Sequence, residues 1–124
     1  YSSDASRQTY SRLLELARLI INSGYSAIVD AAFLKQEQRL PFQLLAKSLG
    51  VRYSILEITA PADILRQRIV ARKHDVSDAD LAVLEHQLSN WQALDDCELK
   101  SAITVNTAET VKIDQLIENI KAKI

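Results

Sequence analysis

The sequence predicts an α/β fold in which a parallel sheet of about three short strands is covered by helices on both faces. Three observations predict it. Helical periodicity alternates with short apolar runs in the order α-β-α-β-α-α-β-α along the 124 residues, and strands separated by helices pair in parallel through crossover connections. The apolar runs at 27–29, 53–58 and 102–105 are short and bounded by turn or cap residues, as buried strands are. No internal repeat, low-complexity stretch or linker interrupts the pattern, so 1–124 reads as a single domain.

The first helix, 4–22, starts at a cap drawn from Ser2, Ser3 or Asp4 and carries Leu13, Leu14, Ala17, Ile20 and Ile21 along one face. Gly24 closes it. The run 27–29 then reads as a buried strand that delivers Asp30 at its carboxyl end, where ligands gather in parallel sheets. Helix 35–49 contains Pro41, which is expected to kink it or to mark the start of its second part, and Gly50 ends it. After strand 53–58, residues 61–94 read as two helices joined by a polar hinge. Pro61 suits a first helical position, and Ile64, Leu65 and Ile69 recur on one side. Arg68 and Arg72 fall four apart, so their guanidinium forks can converge on a polyanion. The first of this pair is expected to stop near Lys73 and His74. Ser77 opens the second, with Asp80 completing an acidic variant of the capping box and Leu81, Leu84, Leu88 and Trp91 on the apolar face. Segment 95–101 reads as a polar connection, 102–105 as the third strand running into Asn106 and Thr107, and 111–123 as a helix with Ile113, Leu116, Ile117 and Ile120 on one side.

Fifteen basic residues against sixteen acidic ones leave a formal net charge of −1, which argues against a general nucleic-acid binder. Basic charge is instead local, at Arg66, Arg68, Arg72 and Lys73. The one cysteine, Cys97, allows neither an intrachain disulfide nor a cysteine-based metal site, and a reducing cytoplasm fits that usage. Its neighbours Asp95, Asp96 and Glu98 oppose thiolate formation, so it reads as structural. His74 and His86 have no third ligand at metal spacing and read as surface histidines. No apolar run reaches the roughly 18 residues of a membrane span. Glu15 and Arg18 are expected to form a surface pair. A chain that holds no methionine and opens at Tyr1 is expected to be part of a longer or trimmed one.

The stretches GYSAIVDAAFL at 24–34, LGVRYSILEITAP at 49–61, ILRQRIVARK at 64–73 and VSDADLAVLEHQL at 76–88 resemble the C-terminal portion of small P-loop kinases. The group they resemble most is the AAA-type ATP-binding domains often fused to aminoglycoside-phosphotransferase-like domains. Gluconate kinases, phage polynucleotide kinases and zeta toxins are more distant relatives. The resemblance covers nearly the whole chain and implies a P-loop NTPase-like three-layer fold, truncated to about three strands, with a helical lid over about 61–94. It implies that Asp30 is the Walker-B-type acid that holds Mg²⁺ through water, and that Arg72 and Arg68 are lid arginines that reach ATP phosphates. Gln87 would be a polar substrate or phosphate contact, and Asn106 and Thr107 the adenine-contacting loop. Each residue also has a plain structural reading: Asp30 as a loop cap, the arginines in surface salt bridges, Gln87 solvated, and Asn106 and Thr107 in a strand-ending turn.

The chain departs from the family in one large respect. A P-loop needs G-x-x-x-x-G-K-[ST], whose backbone N–H groups cradle phosphate, and this sequence has only Gly24 and Gly50. The resemblance therefore implies a portion of an ATP-dependent small-molecule kinase-like domain. ATP and Mg²⁺ would serve the intact domain with an unidentified hydroxyl-bearing acceptor, and neither would bind this chain tightly. In relatives the missing strand lies between those equivalent to 26–30 and 53–58. Its absence predicts either direct pairing of those two or an exposed edge that recruits a second copy, and the lid helices offer another route to a homo-oligomer. The competing expectation is a non-catalytic interaction or oligomerisation module, favoured if Arg68 and Arg72 are tied up in intrachain salt bridges.

Overall fold

The computed structural model of the chain describes residues 3–72 and 78–123. Its elements are α1 (Ser3–Asn22), α2 (Gln36–Leu49), β1 (Ile55–Thr59), α3 (Ala62–Ala71), α4 (Asp78–Asn90), α5 (Asp96–Leu99), β2 (Ala102–Asn106) and α6 (Ile113–Lys123). They divide into two compact units, one up to Arg52 and one from Tyr53.

In the first unit α1 packs on α2, and the buried apolar side chains are Ala17, Leu45 and Ala46. Both helices end on left-handed glycines. Gly24 (φ +89°) donates its N–H to Ile21 O at 2.9 Å, and Gly50 (φ +64°) donates to Lys47 O while Val51 N–H reaches Ala46 O at 3.0 Å. Those bonds satisfy carbonyls that the last helical turn leaves open. α2 runs unbroken through Pro41, so the proline starts no second helix. It removes one N–H near the amino end, where Lys35 N–H donates to Gln38 Oε1 at 3.1 Å and Gln38 N–H to Lys35 O at 3.0 Å, which holds the first turn. On α1, Glu15 pairs with Arg12 at 2.9 Å rather than with Arg18.

The expected strand at 27–29 is not a strand. Residues 25–30 carry no ladder, and Ile28 is 94% exposed. A strand's N–H and C=O groups need a neighbouring strand. The two strands described here pair with each other, so the expectation of about three becomes two.

In the second unit β1 and β2 pair in parallel, from Ile55 opposite Ala102 to Thr59 opposite Asn106. The expected pairing of 26–30 with β1 is not made: among the described residues β1 pairs with β2 alone. Register places Leu56, Ile58, Ile103 and Val105 on one face, with Leu56 and Ile58 exposed. On the opposite face Thr104 Oγ1 donates to Glu57 Oε2 at 3.2 Å. α3 and α4 form a hairpin whose faces are joined by Arg66 and Glu85, with Nε to Oε1 at 2.6 Å and Nη2 to Oε2 at 3.2 Å. That hydrogen bond raises the pKa of Arg66 and lowers that of Glu85, and the charge of each partner adds to the shift of the other.

On α4 only part of the expected stripe is inside: Leu84 is buried, Leu81 half-buried and Leu88 exposed, and Trp91 lies past the helix end, also exposed. The helix stop at Lys73 and His74 and the Ser77 cap lie outside the described residues, as does Ser2. Segment 95–101 is more than a connection, because Asp95 Oδ1 accepts from Glu98 N–H at 2.7 Å and Glu98 Oε1 from Asp95 N–H at 3.2 Å. This reciprocal box opens the short α5 and buries Glu98 to 4% exposure.

Candidate functional site

Polar groups gather where the two parallel strands end. Thr107, one residue past β2, donates its N–H to Thr59 O at 2.8 Å and its Oγ1 hydroxyl to the same oxygen at 3.0 Å. Arg68 reaches down from α3 with Nη1 donating to Thr107 Oγ1 at 2.8 Å and Nη2 to Thr107 O at 2.7 Å. A planar guanidinium spans a hydroxyl and a carbonyl of one residue with two nitrogens in a fixed fork, where an ammonium would reach both from a single nitrogen. Both acceptors are neutral. Arg68 therefore brings a positive charge to the carboxyl end of the sheet, with no carboxylate partner among the described residues.

Asn106 forms a turn, accepting Ala108 N–H on its side-chain oxygen at 3.0 Å and Glu109 N–H on its carbonyl at 3.3 Å. Arg72 follows α3 in extended conformation, its N–H donating to Arg68 O, and its exposed guanidinium meets no acceptor among the described residues. Gln87 is half-buried on α4. Arg68, Asn106 and Thr107 are thus gathered at one end of the sheet, and Arg72 and Gln87 belong to the same unit.

Asp30 belongs to the first unit. Its carboxylate is exposed and has no hydrogen-bond or ionic partner among the described residues. Three residues on, Phe33 adopts φ +46°, a left-handed conformation rare for a bulky residue. Its N–H donates to Tyr10 Oη at 3.0 Å and its carbonyl accepts from Arg39 Nη1 at 2.9 Å. Its ring lies between those of Tyr10 and Phe42, with both centroids 5.2 Å away. Arg39 is 5% exposed. Sequence reading missed this cluster, although one signal was present. Arg39, Phe42 and Ala46 recur on one face of α2, and an arginine in an apolar stripe is a buried arginine that must be hydrogen-bonded.

Among the described residues no three His, Cys, Asp or Glu side chains group to cage an ion. A single free carboxylate fits Mg²⁺, which keeps several waters and takes further ligands from substrate phosphate. An open hollow of about 450 Å³ along α1, lined by Ala5, Gln8, Thr9, Arg12 and Leu13, holds none of the candidate site residues.

A family model described as an AAA domain matches residues 1–94. The chain belongs to this P-loop kinase-like AAA domain family. No curated protein and no solved structure matches the chain. The AAA match supports nucleotide binding as the domain's general character and spans Asp30, Arg68, Arg72 and Gln87. It ends before Asn106 and Thr107. Among its described residues no helix is long and apolar enough to cross a membrane.

Proposed function

We propose that the chain is the Walker-B, lid and adenine-side portion of an ATP-dependent kinase-like domain that phosphorylates a hydroxyl-bearing small molecule. The observation that carries this reading is the uncompensated Arg68 guanidinium held on Thr107 at the carboxyl ends of a parallel strand pair. In the intact domain β1 and β2 would belong to a larger sheet in a three-layer fold, and the α3–α4 hairpin would be the lid. Mg²⁺, when bound, would supply positive charge against the phosphates. Asp30 would hold that ion through water. Arg72, with no partner among the described residues, would meet the phosphates, and Arg68 would add a second fork. Asn106 and Thr107 would line the adenine side, and Gln87 would make a polar contact to substrate or phosphate. Catalysis would rest on positioning and electrostatics. Without G-x-x-x-x-G-K-[ST] in its 124 residues, the chain by itself would not transfer phosphate.

A second reading is a non-catalytic interaction or oligomerisation module, and exposed apolar side chains such as Ile58 on β1 and Leu44 on α2 favour it. Calorimetry on this chain and on one extended upstream through a P-loop separates the two. Binding of Mg-ATP by the longer chain alone supports the kinase reading. If neither binds, the resemblance is one of fold, and the interaction module takes its place.

A further inference from the structure

We propose that Tyr10, Phe33 and Arg39 are positioning residues for Asp30, so that a node of side chains, and not a strand ladder, aims the carboxylate. The inference rests on the reading of Asp30 as the Mg²⁺-side acid. In a parallel sheet, a carboxylate at a strand end is aimed by the ladder bonds of its own strand. Residues 25–30 have no such ladder among the described residues, and Ile28 stands 94% exposed. The chain is instead gripped at Phe33. Three residues span at most about 11 Å, so a fixed Phe33 confines Asp30 to a short tether.

The grip has three independent parts. Both backbone polar groups of Phe33 are bound, the N–H by Tyr10 Oη on α1 and the carbonyl by Arg39 on α2. Its ring sits between Tyr10 and Phe42, edge-on to the latter. The φ of +46° also gives the chain its change of direction between Asp30 and the start of α2. A left-handed bulky residue persists only where its surroundings over-determine it, and such residues concentrate where geometry serves function. Arg39 contributes from a buried position, its Nη1 2.9 Å from the Phe33 carbonyl in a part-buried bond.

Two measurements test the proposal. Amide hydrogen exchange on this chain reads the node directly. Tyr10→Phe keeps the ring and removes the acceptor, and it should speed exchange of the Phe33 amide about fivefold while the α2 amides of Leu45 and Ala46 stay protected. An unchanged Phe33 amide overturns the node. The second measurement is Mn²⁺ affinity, read by electron paramagnetic resonance with ATP bound, in the chain extended upstream through a P-loop. Tyr10→Phe and Arg39→Lys should each weaken Mn²⁺ about fivefold, the scale of losing one hydrogen bond, with ATP affinity in the absence of metal unchanged. Asp30→Asn is the control on the underlying reading. If Asp30→Asn leaves Mn²⁺ affinity unchanged, the assignment of Asp30 fails and the proposal falls with it. If Asp30→Asn weakens Mn²⁺ and the node variants do not, positioning alone is overturned and the node serves only the fold.

Discussion

Phe33 sets two local preferences against each other. The left-handed conformation of a bulky residue costs roughly 1–2 kcal/mol, whereas each of its hydrogen bonds contributes about 0.5–1.5 kcal/mol and each ring pairing about as much. The node therefore outweighs the strain. The comparison that isolates the strain is Phe33→Gly against Phe33→Ala: both lose the ring, and only glycine sheds the backbone cost. Phe33→Gly should be the more stable by about 1 kcal/mol in urea melts, and equal midpoints would show that the backbone there is relaxed. Gly50 gives the reciprocal case. A Cβ added there meets no atom within 4 Å, so Gly50→Ala should destabilise by about 1 kcal/mol through φ alone.

At the scale of elements, the α3–α4 hairpin is bridged by the ion pair of Arg66 and Glu85. The Arg66 hydrogen bond lowers the Glu85 carboxyl below its ordinary range. A lowered carboxyl contributes stability that is present above the unfolded pKa, about 4.3, and is lost as pH falls through the lower folded value. Acidification through that window should loosen the hairpin, and Glu85→Gln should flatten that part of a pH–stability profile. The effect should be small, because both groups are solvated. A profile identical in wild type and variant would remove the pair from the account. α5 offers a second test. Asp95→Ala should cost about 1 kcal/mol, the usual price of an N-cap, together with faster exchange of the Glu98 amide.

At the scale of the molecule, two arginines, Arg66 on α3 and Arg72 one residue past its end, have different fates. Arg66 is neutralised by Glu85, whereas Arg72 is exposed with no partner among the described residues. In the chain extended through a P-loop, Arg72→Ala should weaken ATP binding about tenfold, the scale of one charge-assisted contact. Arg66→Ala should leave ATP binding unchanged. Equal losses from both would mean that only general positive charge matters, and no loss from Arg72→Ala would take it out of the site. The thin interior bears on the same question. The apolar residues buried in the two units are Ala17, Leu45, Ala46 and Leu84, while Ile58, Leu44 and Ile113 remain exposed, so stability should respond to whatever covers those faces.

Helix positions, both helix-ending glycines, the parallel strand pair and membership of the AAA domain family were legible in the sequence, because periodicity, cap chemistry and motif order are local properties. The short α5 has a local signal too, the Asp95 to Glu98 box within a polar stretch. Three things only the tertiary structure decided. Whether 27–29 is a strand depends on a neighbour to receive its hydrogen bonds, and an apolar run is the same with or without one. The partner of an arginine depends on what lies across a fold of the chain, so Arg68 and Arg66 look alike in sequence while one grips Thr107 and the other Glu85. The left-handed turn at Phe33 goes against residue preference and exists because Tyr10 and Arg39, 23 and 6 positions away, close on it together.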